Sequence, residues 1–316
     1  MQKFVKSVIS IVALAPALFF VAPASAEIVY GTSIEGANLF RYDTTTNVVT
    51  TVTNLGLIGR MADSMVFDNS GRIIYSSIYT GEVRRFDPTS NTDTLLANGL
   101  NNPADLLLEP GGNSVLVSEY SGGKIDRINL TTNAVTTLGN YGGNPEGLAY
   151  DSAGRLYANL GCRECGSTGK YIAELNPTTG AVIRTSGGLN SLDGLTFDSV
   201  TGKLFASSLY GNGLYAVDTG TLAATAIKFG SISLPDGIAS DNAGNLFLAS
   251  RGNFTIYEYN IASDTLSPLK YIYGLDDLAP VAGLGAASVP EPFTLSLLGL
   301  GLAGLGFAKR RKQKTV

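Results

Sequence analysis

Short apolar runs alternate along the chain with clusters of Gly, Asn, Asp, Pro and Thr. Runs of this kind, bounded by turn-forming residues, predict β-strands joined by tight turns. No segment of about a dozen residues in the body of the chain shows the 3.6-residue periodicity of an amphipathic helix. No Gly-x-Gly-x-x-Gly motif stands between a strand and a helix, so a dinucleotide-binding fold is not expected. The pattern predicts an all-β protein.

The same run of apolar and polar positions returns five times. The five segments are MADSMVFDNSGRIIYSS (61–77), PADLLLEPGGNSVLVSE (103–119), PEGLAYDSAGRLYANL (145–160), LDGLTFDSVTGKLFASS (192–208) and PDGIASDNAGNLFLAS (235–250). A sixth start, LDDLAPVAG (275–283), supplies only one strand. The aligned acids are Asp63, Asp105, Glu146, Asp193, Asp236 and Asp277, at spacings of 42, 41, 47, 43 and 41 residues. A period near 42 with four strands per unit predicts a β-propeller.

The two ends of the repeat region complete one blade. Residues 28–32, 39–42 and 48–52 have the pattern of second, third and fourth strands with no first strand before them. The missing strand is expected near residues 277–283, so pairing the two ends would close the ring and remove two open sheet edges. We predict a six-bladed propeller of four-stranded antiparallel blades over residues 27–288.

In this geometry the first strand of each blade lines the central channel. The connection that enters the first strand and the loop between the second and third strands share one face. The six aligned acids are therefore expected to ring the channel mouth. Loop residues that form a candidate ligand rim around them, for a sugar or a peptide, are Tyr79, Glu119, Tyr120, Arg163, Tyr210 and Arg251.

Six carboxylates at one channel mouth cannot all stay charged and unpaired, because like charges about 4 Å apart repel by about 4 kcal/mol at an effective dielectric of 20. A divalent cation could sit among them, and oxygen ligands suit Ca²⁺ or Mg²⁺. Some of the carboxyls could instead be protonated. They could also turn sideways and accept backbone N–H bonds from their own turn and the next blade. For a metal, Asp236 and Asp193 lead and Glu146 follows, because a Gly after each lets an ion approach the backbone.

The stretch Leu-Pro-Asp236-Gly followed by Asp241-x-x-Gly244-x-Leu246 resembles the inner-strand motif of SMP-30/gluconolactonase/NHL-like propellers. In the lactonase branch a divalent metal at the channel mouth activates a hydrolytic step. The resemblance implies that Asp236 is a metal ligand and places Asp193 where the family has Asn. The family's early Glu has no counterpart here, where Asp63 stands. The sequence favours an exported binding or scaffold module; the alternative is a metal-dependent hydrolase of lactones or sugar-derived esters.

Both ends of the chain carry targeting signals. Residues 1–26 combine a basic start, a short apolar run and Ala24-Ser25-Ala26, which predicts a secretory signal peptide for signal peptidase. Residues 289–316 read VPEP, an apolar run of transmembrane character and a basic cluster at 309–312. That order resembles the PEP-CTERM sorting signal of Gram-negative bacteria. The resemblance implies a precursor held at the inner membrane by its tail, processed by an exosortase and directed to the outer envelope or extracellular matrix, where exopolysaccharide, a small molecule or a protein would be its ligand.

Charge and composition exclude some partners and some kinds of catalysis. Residues 27–288 contain 15 Lys and Arg against 25 Asp and Glu, a net charge of −10, so nucleic acid is not an expected partner. The chain has no His, which removes His-based catalysis and imidazole zinc sites. In an exported protein, the neighbouring Cys162 and Cys165 predict a local disulfide in the longest second-to-third loop.

Overall fold

The computed structural model describes residues 28–58, 61–161 and 171–279. Over these ranges the protein is all-β, with 24 strands in six four-stranded antiparallel sheets and one 3₁₀ turn at Leu55–Ile58. Each sheet is one blade, so the predicted six-bladed propeller is confirmed. We number blades 1–5 in chain order and call the blade shared by the two ends blade 6.

The strands of blades 6, 1 and 2 follow the order expected from the repeat. Blade 6 contains β1 (Ile28–Ser33), β2 (Asn38–Asp43) and β3 (Val48–Asn54) from the N-terminal side. Blade 1 contains β4 (Met65–Phe67), β5 (Ile73–Ser77), β6 (Glu82–Asp87) and β7 (Thr92–Ala97). Blade 2 contains β8 (Pro103–Leu108), β9 (Ser114–Glu119), β10 (Lys124–Asn129) and β11 (Val135–Asn140).

Blades 3 to 5 repeat this arrangement, and the last strand returns to blade 6. Blade 3 contains β12 (Leu148–Tyr150), β13 (Leu156–Leu160), β14 (Tyr171–Leu175) and β15 (Val182–Thr185). Blade 4 contains β16 (Leu192–Asp198), β17 (Lys203–Ser208), β18 (Gly213–Asp218) and β19 (Ala224–Ile227). Blade 5 contains β20 (Pro235–Ser240), β21 (Asn245–Ser250), β22 (Thr255–Asn260) and β23 (Thr265–Tyr271). The final strand is β24 (Leu275–Leu278).

The ring closes where β24 pairs with β1. The two strands run antiparallel, with Leu275 opposite Ser33 and Leu278 opposite Gly31. The backbone N–H of Ala279 extends the pairing by donating to the carbonyl of Tyr30 at 2.9 Å. Blade 6 is therefore built from both ends of the described chain, which confirms the predicted closure.

The apolar core is divided among the six interfaces between neighbouring blades. Successive side chains of a strand point to opposite faces of its sheet. In β5, Ile73 and Tyr75 pack against blade 6, whereas Ile74 packs against blade 2. All three are at most 1% exposed. Because the second strands are buried on both faces, they form continuous apolar runs rather than alternating ones.

Candidate functional site at the channel mouth

The six aligned acids all line one cavity at the start of the first strands. Its volume is about 50 Å³, and apolar side chains two positions further along these strands, such as Leu107, Leu148 and Leu195, form its floor. At roughly 10–15 Å³ for each water molecule, such a space holds about three to five waters. The cavity can accept an ion or a few waters but not an organic ring.

Arg251 forms an ionic bridge above this cavity. It follows β21, and its Nη1 lies 2.9 Å from Oδ2 of Asp236 while its Nε lies 3.1 Å from Oδ1 of Asp276. Both carboxylates are buried, at 8% and 3% exposed, whereas the Arg251 side chain is 47% exposed. Burial opposes the charge of Arg251, but the two carboxylates outweigh it and raise the pKa of the guanidinium. The protein thus places a cation of its own between blades 5 and 6.

Asp63 and Asp276 form a carboxyl pair beside this bridge. Their side chains hydrogen-bond each other, which requires a proton on one of the two oxygens. Burial first, and then the charge of Asp236, raise the pKa of Asp63 to about 7. The same two causes, joined by the charge of Asp63, raise the pKa of Asp276 well above its ordinary value. Protonation therefore relieves part of the repulsion among the acids.

Asp105 connects three successive blades. Its Oδ2 accepts the backbone N–H of Leu148 in blade 3 at 2.7 Å. Its Oδ1 accepts the hydroxyl of Ser64 in blade 1 at 2.9 Å and the N–H of Leu106 at 2.8 Å. Burial raises the pKa of Asp105 to about 6, against the lowering effect of these hydrogen bonds. Asp105 therefore has the sideways arrangement that the sequence left as one of three alternatives.

Asp277 is held more locally. Its Oδ1 accepts the N–H of Leu278 at 2.7 Å, and its carboxyl also hydrogen-bonds Ser64. Burial, followed by the charges of Asp105 and Asp236, raises the pKa of Asp277 well above its ordinary value.

The glycines after three of the acids have a steric role that the sequence interpretation missed. A Cβ added to Gly147 would lie 2.5 Å from the carbonyl oxygen of Asp193, and one added to Gly194 would lie 2.8 Å from that of Asp236. A Cβ on Gly237 would lie 2.6 Å from the Cα of Asp277. In each case the next blade already occupies the space. These positions lack a side chain because the inner strands pack closely, not to admit a ligand.

Below the acids, polar side chains on the second strands hydrogen-bond to the backbone of the neighbouring blade. The hydroxyl of Thr32 accepts the N–H of Asp277 at 3.0 Å and donates to the carbonyl of Asp63 at 2.8 Å. Ser207 links Gly194 and Asp236 in the same way. Ser76 and Asn159 donate to the backbone of the following blade at equivalent places. Sequence reasoning did not select these residues, although a polar residue recurring in an otherwise apolar second strand was a usable signal.

The residues proposed for the rim fall into two groups. Tyr79 and Tyr210 project into solvent, at 74% and 67% exposed, and Tyr120 is half-buried. Glu119 is only 1% exposed: one carboxylate oxygen accepts the N–H of Asn101 at 2.7 Å and the other lies 3.0 Å from the Lys124 ammonium. Glu119 therefore fixes loops and does not face a ligand.

Three of the predicted residues cannot be placed. Arg163 and the predicted disulfide partners Cys162 and Cys165 lie outside the described residues, and so do the predicted signal peptide and sorting tail. The disulfide and the signal peptide remain predictions.

A metal centre does not assemble from the side chains as they stand. Within residues 28–58, 61–161 and 171–279, no group of three or more acids is close enough to hold one ion. Asp236, the leading candidate ligand, is paired with Arg251 instead. The donor set therefore does not fit the lactonase-type metal site that the resemblance implied.

Comparison with known proteins identifies the far end of the chain. Residues 288–312 match the PEP-CTERM protein-sorting motif. The chain is a six-bladed propeller followed by a PEP-CTERM sorting motif. The predicted sorting signal is thereby confirmed, and it indicates an exported, membrane-anchored precursor. Among the residues that the structure describes, none of the helical segments has the length and apolar character needed to span a bilayer.

Solved structures share the propeller fold of this chain at low sequence identity. A chain of a nidogen/laminin complex superposes with a TM-score of 0.69 at 14% identity, covering 81% of this chain and 98% of that one. A hydrazine synthase from Kuenenia stuttgartiensis gives 0.61 at 13% identity, covering 84% and 93%. Virginiamycin B lyase from Staphylococcus aureus gives 0.57 at 14% identity, covering 79% and 86%. No curated protein sequence matches the chain. These likenesses show the propeller fold alone.

Proposed function

We propose that this PEP-CTERM propeller protein is a binding or scaffold module whose ligand lies across the acid-lined face. The size of the channel cavity carries the proposal, because about 50 Å³ is far below the roughly 150 Å³ of a cavity that binds benzene. A ligand larger than a few waters must therefore contact the loops around the mouth. The partly exposed Arg251 guanidinium lies over that mouth and is available to a ligand from outside.

The chemistry of this face favours a neutral polysaccharide. Tyr79 and Tyr210 are well exposed, and Tyr273, in the loop that enters β24, is 58% exposed on the same face. Aromatic rings combine a large apolar surface with a polar hydroxyl, which suits the apolar faces and hydroxyl edges of sugar rings. The acidic mouth and the net charge of −10 over residues 27–288 disfavour polyanions.

The test is binding of the full chain to purified polysaccharides of contrasting charge. We expect a neutral glucan to bind and a polyuronate to bind at least tenfold more weakly at low salt. Changing Tyr79→Ala and Tyr210→Ala together should weaken glucan binding about tenfold. Val200→Ala is the matched control, because Val200 is 63% exposed on the opposite face. Equal binding by the double variant would contradict the use of this face.

A metal-dependent lactonase is the second candidate, since Asp193 and Asp236 line the same cavity. The pairing of Asp236 with Arg251 argues against it, and no catalytic step follows from the geometry. A panel of small lactones with Ca²⁺, Mg²⁺, Mn²⁺ or Zn²⁺ tests it. Turnover that Asp236→Asn abolishes would replace the binding proposal with the hydrolase.

The sorting motif supports a route for the precursor. We propose cleavage of residues 1–26 by signal peptidase, retention by the tail at the inner membrane and exosortase processing toward the outer envelope or matrix. Fractionation of cells with and without exosortase tests this route. The full chain should stay in the inner-membrane fraction when the exosortase is absent.

A further inference from the structure

The direction of β24 determines the face from which the sorting tail departs. First strands begin at the acid-lined face, and their far ends lie at the opposite end of the channel, where Tyr150, Phe197 and Ser240 line a separate cavity. β24 runs the same way, since Leu275 pairs near the end of β1 and Leu278 pairs near its middle. Ala279 then bonds to Tyr30, close to the start of β1. The chain therefore leaves the ring toward the face opposite the acids.

The connection from Ala279 to the apolar run of the sorting signal is short. That run begins at residue 293, fourteen residues beyond Ala279. A chain of fourteen residues has a root-mean-square end-to-end distance of about 20 Å and reaches about 50 Å only when fully extended. A route around a blade to the acid-lined face must cross three strand spacings of about 4.8 Å and then climb a six-residue strand of about 20 Å. With the outer side chains added, that path exceeds about 35 Å before it passes the loops on the acid-lined face.

The channel offers no shorter route. It is obstructed below the acids by Leu107, Leu148 and Leu195, which line the cavities on both sides of them. The N-terminal end agrees with this geometry, because Ile28 starts β1 at the same face from which β24 leaves. Both places where the described propeller meets its predicted targeting segments therefore lie on one face.

We infer that the tail-held precursor sits with the acid-lined face pointing away from the membrane and the opposite face toward it. The inference rests on the sorting motif and on a membrane-held precursor, and it is independent of which ligand binds. Tyr79, Tyr210 and Arg251 are then presented to polymers in the surrounding compartment before the tail is processed. The opposite face, formed by the turns between first and second and between third and fourth strands, is shielded until release.

Site-specific photocrosslinking to lipid tests the orientation in membranes from cells that lack exosortase. Val200 and Tyr210 form a matched pair on blade 4, because they are 63% and 67% exposed but lie on opposite faces. We expect Val200→p-benzoylphenylalanine to give at least fivefold more lipid adduct than Tyr210→p-benzoylphenylalanine in the full chain. A second pair, Thr45 on the opposite face and Tyr273 on the acid-lined face, repeats the comparison on blade 6. It detects a tilt of the propeller relative to the membrane.

The yields of lipid adduct distinguish the inferred orientation from the alternatives. Excess lipid adduct at Val200 and Thr45, with unchanged melting temperatures, supports the orientation. Equal yields within both pairs, excess at the tyrosines, or failure of the full chain to pellet with membranes would overturn it. Loss of polysaccharide binding in the separate assay would overturn the proposed ligand and leave the orientation standing.

Discussion

Replacing Arg251 with Met tests whether the protein's own cation holds blades 5 and 6 together. The change keeps an unbranched apolar stem and removes both contacts to Asp236 and Asp276. Removing one partner of a buried pair costs about 3–5 kcal/mol. Because the guanidinium is 47% exposed, solvent screens the interaction, and we expect a loss of about 2–3 kcal/mol.

Thermal melting of the full chain at pH 7.5 measures this loss. For a domain of about 250 residues, each kcal/mol corresponds to about 2–4 °C, so the midpoint should fall by about 4–12 °C. Arg251→Lys should lose less, since one ammonium retains charge but lacks the fork that reaches both carboxylates. Arg41→Met is the control, because Arg41 lies 3.5 Å from Asp43 near the surface and its loss should cost under about 1 kcal/mol.

The pH dependence of the melting midpoint provides a second test of the bridge. Burial and the neighbouring carboxylates raise the pKa of Asp276 well above its ordinary value, so lowering the pH to 5 favours its protonated form and weakens its attraction to Arg251; the midpoint of Arg251→Met should then lie closer to that of the unchanged chain. A variant that melts within about 1 °C of the unchanged chain at pH 7.5 would refute the bridge as a stabilising contact.

Three further predictions concern the inner ring. Gly194→Ala should cost about 1–3 kcal/mol by denaturant unfolding, because its Cβ would meet the carbonyl of Asp236, whereas Gly187→Ala has open space and should cost nothing. Stability should fall between about pH 4 and 7, because the pKa of Asp63 is about 7 in the folded protein against an ordinary value of 3.8, so the folded state holds its proton over that range and loses this advantage as the pH rises. Asp63→Asn should flatten that fall, and an unchanged slope would count against the carboxyl pair. Ser207→Ala should lower stability by about 1–3 kcal/mol, as it leaves the buried N–H of Gly194 without the hydroxyl; unfolding at the same denaturant concentration would contradict this link.

The repeat made the fold predictable because every blade has the same pattern of strands and turns. Turn-forming residues delimit the strands, and second strands buried on both faces carry runs of consecutive apolar residues, as at Ile73, Ile74 and Tyr75. The place of the six acids in one cavity followed from their alignment alone. Closure by both ends also followed, because residues 28–52 lacked a first strand and residue 275 began one.

The contacts within the ring were not predictable in the same way. Asp276 and Asp277 are adjacent in one Leu-Asp-Asp-Leu stretch, and the alignment selected Asp277, whereas the ionic bridge uses Asp276. The sequence predicts a ligand rim for Arg251, because nothing in one blade shows which side chain of the next blade it reaches. It also predicts space for a ligand at the glycines after the acids, because it does not show that a neighbouring backbone fills that space.

We propose that Arg251 and protonated carboxyls, rather than a divalent ion, neutralise the acid ring. The direct measurement is the melting midpoint of the full chain at pH 7.5 in EDTA and in millimolar Ca²⁺ or Mg²⁺. We expect the three midpoints to lie within about 1 °C of each other. An ion bound at 100 times its dissociation constant would add about 2.7 kcal/mol. A rise of several degrees with either metal, lost in Asp236→Asn, would contradict neutralisation by Arg251 and favour a metal site.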